Sequence, residues 1–389
     1  VSASSFLGNF FEGRLSPVGE PIELCGLPSA NAELFPESYR PLLLNSGTAA
    51  LSLAMSIAAS TAKSGSPEVI LPAYGCPDLL AAAYYAGLQP VLVDIQADSP
   101  RYQAAALCAA ITSNTVAIVA VNFLGIAEDL PSLRKLCDTN ELVLIEDNAQ
   151  YFPIESTISS YVGDLVVHSF GRGKPISQVG GGALLLRSSM AGAAGNIIDS
   201  LPLQQLTERS WRLKARLFNL VLQPRFYQLL SLLPFLNIGA TRYHALQVIE
   251  RMDLWRDGYI QRNVEVFRRR SRQLQQQVDA RLEAIKPAAY INLPRALQSL
   301  QTPLLRYPIV CRSKSHCDVL FAQLEDDGLG VSRMYQLPLP GIDNIPHPIS
   351  GTFAGAEAFS GRLLTLPLTS FVDRSRLERI FCLLEAGAY

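Results

Sequence analysis

Between Leu42 and Leu186 short apolar runs alternate with stretches whose apolar residues recur at helical spacing. Such alternation predicts a mostly parallel sheet covered by helices. Seven strands are expected, at Pro41–Leu44, Glu68–Leu71, Gln89–Asp94, Thr115–Asn122, Leu142–Glu146, Leu165–Ser169 and Ala183–Leu186. The Ala- and Leu-rich segments Ala49–Ala62 and Asp78–Ala86 read as helices, as does Leu130–Thr139 behind Pro131. Beyond Asp199 the pattern changes to Leu, Arg, Gln and Phe at helical spacing, and Arg242–Ile285 reads as one long amphipathic helix with Arg268, Arg269 and Arg270 on a solvated face. From Tyr290 a smaller α+β unit follows: a strand at Leu304–Cys311, a helix at Cys317–Asp327, a Pro-rich loop at Leu337–Pro348 and a closing helix at Arg374–Ala386. The expected division is an N-terminal segment over 1–40, a large α/β domain over 41–237, and a connecting helix with a small domain over 238–389.

Length and composition fit two lobes. The chain has 389 residues, 49% hydrophobic and only 17% charged, which excludes disorder and leaves ample core. A net charge of −1 provides no overall field to hold nucleic acid or an anionic surface. Seven cysteines without a C-x-x-C pair read as reduced thiols in a cytoplasmic protein, with no metal site. The N-terminus lacks a secretory pattern. The apolar Arg216–Leu236 stretch is interrupted by Gln223, Pro224, Arg225 and Pro234, so no transmembrane span is expected. Burial of this hairpin in a dimer is its first reading, and docking to a membrane or a pathway partner its second.

Three segments fall at the C-terminal ends of expected strands, where open α/β sheets bind ligands. Asn45-Ser46-Gly47-Thr48-Ala49 leaves a strand and opens a helix, so its free N–H groups can face a phosphate; alone, it is better described as a capped helix start. Glu146-Asp147-Asn148-Ala149-Gln150 delivers acids and an amide to the sheet edge. A carboxylate there can hold a proton on a heterocyclic nitrogen, or simply cap the next helix. Ser169-Phe170-Gly171-Arg172-Gly173-Lys174-Pro175 carries one of only six lysines, set among 27 arginines, on a glycine-flanked loop suited to a Schiff-base amine. It lacks the spacer and the Ser or Thr of a P-loop.

Phosphate cradle, ring-nitrogen acid and lysine in this order resemble the DegT/DnrJ/EryC1/StrS family of sugar aminotransferases, fold type I enzymes that use pyridoxal 5'-phosphate. Supporting matches are Pro72-Ala73-Tyr74, Pro90-Val91-Leu92-Val93-Asp94, Val121-Asn122-Phe123-Leu124-Gly125 and Ala358-Phe359-Ser360-Gly361-Arg362-Leu363. The resemblance implies a homodimeric aminotransferase that moves an amino group from an amino acid, glutamate or glutamine, to a ketone of a nucleotide-linked sugar. It implies that Lys174 carries the cofactor and shuttles protons, that Asp147 binds the ring nitrogen, and that Gln150 meets the phenolic oxygen. Gly47, Thr48, Ala49 and Ser169 would hold the phosphate, with Tyr74 and Cys76 near the ring. Asn122, His168, Arg333 and Tyr335 are the candidates on the substrate side. A ketone outside the sugars, or a silent member that binds cofactor for regulation, is the alternative. The family's sugar dehydratases carry histidine in place of the lysine, so Lys174 argues against that branch.

Three positions depart from the family. Cys76 stands where an aromatic ring commonly covers the cofactor, and its plainer reading is a packing residue. Ile238-Gly239-Ala240-Thr241-Arg242-Tyr243 lacks the asparagine that reaches the neighbouring subunit. His168 replaces a small or apolar residue, and a buried, hydrogen-bonded histidine is the plainer reading there too.

Overall fold

In the computed structural model, residues 13–26, 34–62, 65–154, 161–233, 241–270, 272–285, 289–299 and 302–387 are described. All seven expected strands form: β1 (Tyr39–Leu44), β2 (Glu68–Pro72), β3 (Gln89–Val93), β4 (Thr115–Val121), β5 (Val143–Asp147), β6 (Leu165–Ser169) and β7 (Gly182–Arg187). They make one sheet in the order β1-β7-β6-β5-β4-β2-β3. Only β7 runs against its neighbours β1 and β6; the other pairings are parallel.

Helices α1 (Gly47–Ala59), α2 (Asp78–Tyr85), α3 (Ala104–Ala110) and α4 (Leu130–Asn140) connect these strands. The short α3 is absent from the sequence reading, because AAALCAA has no polar face to give it a period. One face of the sheet buries Leu165 and Val167 with α1, while Val166 and Phe170 pack on the other with Phe152 and Phe267. Strand alternation therefore decides which side chains of β6 face which core.

After β7 come α5 (Ala191–Asp199) and an apolar hairpin of two helices, α6 (Glu208–Val221) and α7 (Pro224–Ser231). Trp211 anchors the hairpin, its Nε1–H donating to the Gln178 carbonyl at 2.8 Å. Leu213, Leu217, Leu229 and Leu232 are exposed on its outer side. The rest of the apolar stretch, to Leu236, lies outside the described residues, as do Ile238, Gly239 and Ala240.

The single helix expected over Arg242–Ile285 does not form. Residues 241–252 are bonded elsewhere: Tyr243 N–H donates to Asp343, the Glu250 carbonyl accepts from Asn45, Arg251 N–H donates to Pro202 and Met252 N–H donates to Leu43. Two helices follow, α8 (Asp257–Arg269) and α9 (Gln273–Ala284). At the break, the Arg270 guanidinium leaves solvent to pair with Glu20 at 2.8 Å and to meet the Leu368 carbonyl, so the arginine triplet is not a uniform solvated face.

The smaller unit holds β8 (Tyr290–Asn292), α10 (Leu293–Ala296), β9 (Arg306–Cys311), α11 (Lys314–Asp326), α12 (Ala354–Arg362), β10 (Leu363–Pro367) and α13 (Arg374–Gly387). Its antiparallel sheet has the order β10-β9-β8. A second core of Tyr307, Ile309, Leu320, Leu366 and Phe381 fills it. Among the described residues no helix is long and apolar enough to cross a membrane.

Candidate active site

The chain leaves β1 through Asn45 and Ser46 into α1. Ser46 caps this helix, its Oγ accepting from Ala49 N–H at 3.0 Å. The Ala49 N–H is thereby held by Ser46, and Gly47 and Thr48 line the cavity at the helix mouth. Gly47 is fixed by close approach of β6: a Cβ there would lie 2.5 Å from Ser169 Cβ and 2.6 Å from its Oγ. Thr48 Oγ1 donates to Asp78 Oδ2 at 2.9 Å, tying α1 to the first turn of α2.

Asp147 ends β5 in register with Val121 of β4 and Val167 of β6, deep at the sheet's C-terminal edge. Its Oδ1 accepts from Ala149 N–H at 2.9 Å, and no hydrogen bond reaches Oδ2 among the described residues. Burial pushes the Asp147 carboxyl above its ordinary range, while the Ala149 N–H and the nearby Lys174 charge pull the other way. The Gln150 Oε1 accepts from Leu124 N–H at 3.0 Å, which requires the unusual Leu124 backbone at φ +60° and keeps Nε2 as a donor. After β6 the chain turns through Gly171, Arg172 and Gly173, the last at φ +67°, and this turn presents Lys174.

One cavity gathers these ends. Gly47, Thr48, Asp147, Gln150, Ser169 and Lys174 all line it, together with Cys76 and Asn122. Asp78 and Phe123 line it as well, and the sequence reading did not single them out. Each had a signal available: Asp78 opens the helix after Pro77, and Phe123 sits inside a stretch already matched at a strand end.

Several candidates play other parts. Asn122 spends its amide on its neighbours: Nδ2 donates to Glu146 at 3.3 Å and to Asn148, and Oδ1 accepts from Glu128 N–H at 2.9 Å. It ties strand ends together while lining the cavity. Tyr74 does not line the cavity. Its hydroxyl donates to the Met334 carbonyl, and its ring is wedged among Phe123, Tyr335 and Phe359. Tyr335 meets the Cys76 thiol, which burial, reinforced by Asp78, pushes up to about 12 against the pull of Lys174. A thiol held protonated in this way is a packing and hydrogen-bonding group.

His168 is turned away from the cavity, because it alternates with Ser169 along β6. Its Nε2 lies 3.1 Å from the Tyr161 hydroxyl, its ring stacks on Phe35, and burial lowers its pKa to about 3. Arg333 turns to α11, pairing with Asp318 at 2.5 Å and donating to the Gly361 carbonyl at 3.2 Å. Neither residue reaches the cavity.

Fold and site define a class: the chain has the fold of the type I pyridoxal-phosphate transferases. Three solved structures share it. Helicobacter pylori PseC, an aminotransferase involved in the biosynthesis of pseudoaminic acid, matches with a TM-score of 0.67 at 16% identity, covering 96% of this chain and 99% of its own. Bacillus subtilis NtdA with bound cofactor PMP gives 0.65 at 19%, covering 90% and 74%. The aminotransferase TlmJ from Streptoalloteichus hindustanus gives 0.63 at 21%, covering 89% and 85%. Residues 39–210 match the model of the DegT/DnrJ/EryC1/StrS aminotransferase family.

Sequence relatives agree over part of the chain. GDP-perosamine synthase of Vibrio cholerae is 32% identical over 149 residues, 38% of this chain and 40% of that protein. The UDP-N-acetyl-3-dehydro-α-D-glucosamine 3-aminotransferase of Acidithiobacillus ferrooxidans is 31% identical over 122 residues, 31% of this chain and 33% of the relative. The matched stretches thus span well under half of these relatives.

Proposed function

We propose that this chain is a pyridoxal-phosphate-dependent aminotransferase that moves an amino group from an amino acid, glutamate or glutamine, to a keto group of a nucleotide-linked sugar. The carrying observation is the pairing in one cavity of a buried aspartate with an unbonded oxygen and the lysine of the Gly-flanked turn. The family of residues 39–210 and the names of the relatives support the reaction and the substrate class.

The residues fit the cofactor. Asp147 Oδ2 is a buried acceptor in want of a proton donor, which a protonated ring nitrogen supplies. Gly47 lets the helix mouth come up against Ser169, and the Thr48 and Ser169 side chains line the cavity with their hydroxyls. When bound, pyridoxal phosphate supplies an electron sink for the carbon that gains or loses the amino group. Asp147 would hold the proton at the ring nitrogen, keeping that sink charged. Gln150 Nε2 would donate to the phenolic oxygen. Lys174 Nζ would hold the cofactor and, once released, accept and return a proton at the substrate carbon. Phe123 would exclude water from one side.

The same proposal includes a cytoplasmic homodimer divided as 1–40, 41–237 and 238–389. The separate large and small sheets, the exposed leucines of the α6–α7 hairpin and seven cysteines free of disulfides support it.

The test is absorbance of the purified protein with pyridoxal phosphate, then borohydride reduction and peptide mapping. Label on the Lys174 peptide, with a colour that bleaches on glutamate and returns on a keto-sugar nucleotide, is the expected outcome. Label elsewhere, or none, overturns the assignment.

A further inference from the structure

Beyond Lys174 lies a second, small cavity of about 80 Å³, lined by Arg172, Lys174 and Arg306 with Gln150 and apolar neighbours, and by no acid. Arg306 begins β9 and donates to Ser332 Oγ at 2.5 Å. Neither Arg306 nor Arg172 pairs with a carboxylate among the described residues. Burial pulls the Arg306 guanidinium down to about 10, the direction expected of a cation that has lost water and gained no counter-ion. Most arginines of this protein that leave solvent do find an acid: Arg256 has Asp253, Arg270 has Glu20 and Arg333 has Asp318. A guanidinium sunk beside a lysine without one is a standing cost unless an anion arrives.

We infer that Arg306 and Arg172 form the site for the carboxylate of the amino donor, resting on the reading of Lys174 as the amine that carries the cofactor. The planar fork of arginine matches a carboxylate with two parallel hydrogen bonds. A phosphate of the sugar nucleotide shares that chemistry, and cavity size separates the two. A neighbouring cleft of about 600 Å³ also reaches Lys174, and it is lined by Glu20, Glu23 and Arg270, the last already paired with Glu20. The bulky acceptor has room there, whereas the small cationic cavity takes one compact charged group. The donor's carboxylate and the acceptor's bulk would thus lie in separate clefts while each presents its reacting carbon to the same lysine.

The probe is glutarate, which is glutamate without its amino group and cannot react. Calorimetry on the holoenzyme is expected to show glutarate binding that weakens about 100-fold in Arg306→Gln and about 10-fold in Arg172→Gln, in line with loss of charge-assisted hydrogen bonds. The KM for glutamate rises with it while the KM for the keto acceptor stays within about two-fold. Glutarate affinity unchanged in both variants overturns the inference. So does displacement by inorganic diphosphate with a raised acceptor KM, which would give the cavity to the nucleotide. Should Arg306→Gln fail to fold, Arg306→Lys, which keeps the charge and loses the fork, and the exposed Arg172→Gln carry the same readout. Because glutarate binding needs no turnover, Arg306 dependence in a protein whose label misses Lys174 would sink the aminotransferase reading and leave the anion site standing.

Discussion

Gly47→Ala probes the cradle with a single methyl group. The new Cβ would lie 2.5 Å from Ser169 Cβ, 2.6 Å from its Oγ and 3.1 Å from its Cα. The last atom is backbone in β6, which is hydrogen-bonded on both sides by β5 and β7, so rotation of the serine alone cannot relieve the contact. Overpacking of this kind costs about 1–3 kcal/mol. Alanine in the first turn of a helix returns about 0.5–1 kcal/mol of chain entropy, and the Gly47 backbone is not left-handed, so that gain is realised. The net expectation is about 1–2 kcal/mol of destabilisation, or a Tm lowered by about 1–3 °C. Cofactor titration should show weakened pyridoxal-phosphate binding as well, since the methyl group displaces Ser169, one of the hydroxyls proposed to hold the phosphate. Ser169→Gly in the same chain should recover part of the Tm and little of the binding, because it removes the clash together with one hydroxyl. Wild-type melting and wild-type cofactor affinity in Gly47→Ala would refute the close-approach argument outright.

Two further outcomes are expected. Asp147→Asn keeps the shape of the site but cannot hold a proton on a ring nitrogen; turnover should fall about 100-fold or more while borohydride still fixes cofactor on Lys174, and retention of half the activity would remove Asp147 from the reaction. Glu128, buried beside Tyr102, has its carboxyl raised from an ordinary 4.5 to about 7, chiefly by burial and despite N–H bonds from Asp129 and Tyr102. Because the folded value is the higher one, its contribution is full below about pH 4.5 and is lost as pH rises through about 7, an amount of about 3 kcal/mol. Denaturant unfolding from pH 4.5 to 8 should therefore show a falling stability slope that Glu128→Gln removes, and equal slopes in the two proteins would contradict it.

The strands were legible because their apolar runs are bounded by glycine, proline and polar residues, and because parallel strands buried on both faces read as continuous hydrophobic segments. The ends of β1, β5 and β6 carried the cavity's residues for the same reason. Elsewhere local pattern was not enough. Residues 241–252 look helical in their spacing, yet hydrogen bonds of Glu250, Arg251 and Met252 with Asn45, Pro202 and Leu43, the first and last of these partners lying about 200 positions earlier, fix them otherwise. His168 and Ser169 are adjacent in sequence and face opposite cores, which only the pleat decides. Arg333 and Arg306 look equivalent as isolated arginines on the small unit. The difference is Asp318, four positions after Lys314 on α11, which captures one guanidinium and lies out of reach of the other.

That difference matters for how the site handles charge. On one side of Lys174 the cavity contains two acids, Asp78 and Asp147; on the other it contains only the cations Arg172 and Arg306. Asp78 is already engaged by the Thr48 hydroxyl, so Asp147 is left to answer a cofactor cation, and the two arginines are left to answer an anion. Gly173, at φ +67°, lets the lysine's turn pass close to Val18, whose Cγ1 a Cβ there would approach to 2.9 Å. Under the proposed function, a lysine so placed would give up the cofactor to the amine of an incoming amino acid without crossing an unfavourable field: the negative side would hold the cofactor ring, and the positive side would draw the carboxylate. Reversing that order, with acids facing the donor, would repel the proposed amino acid.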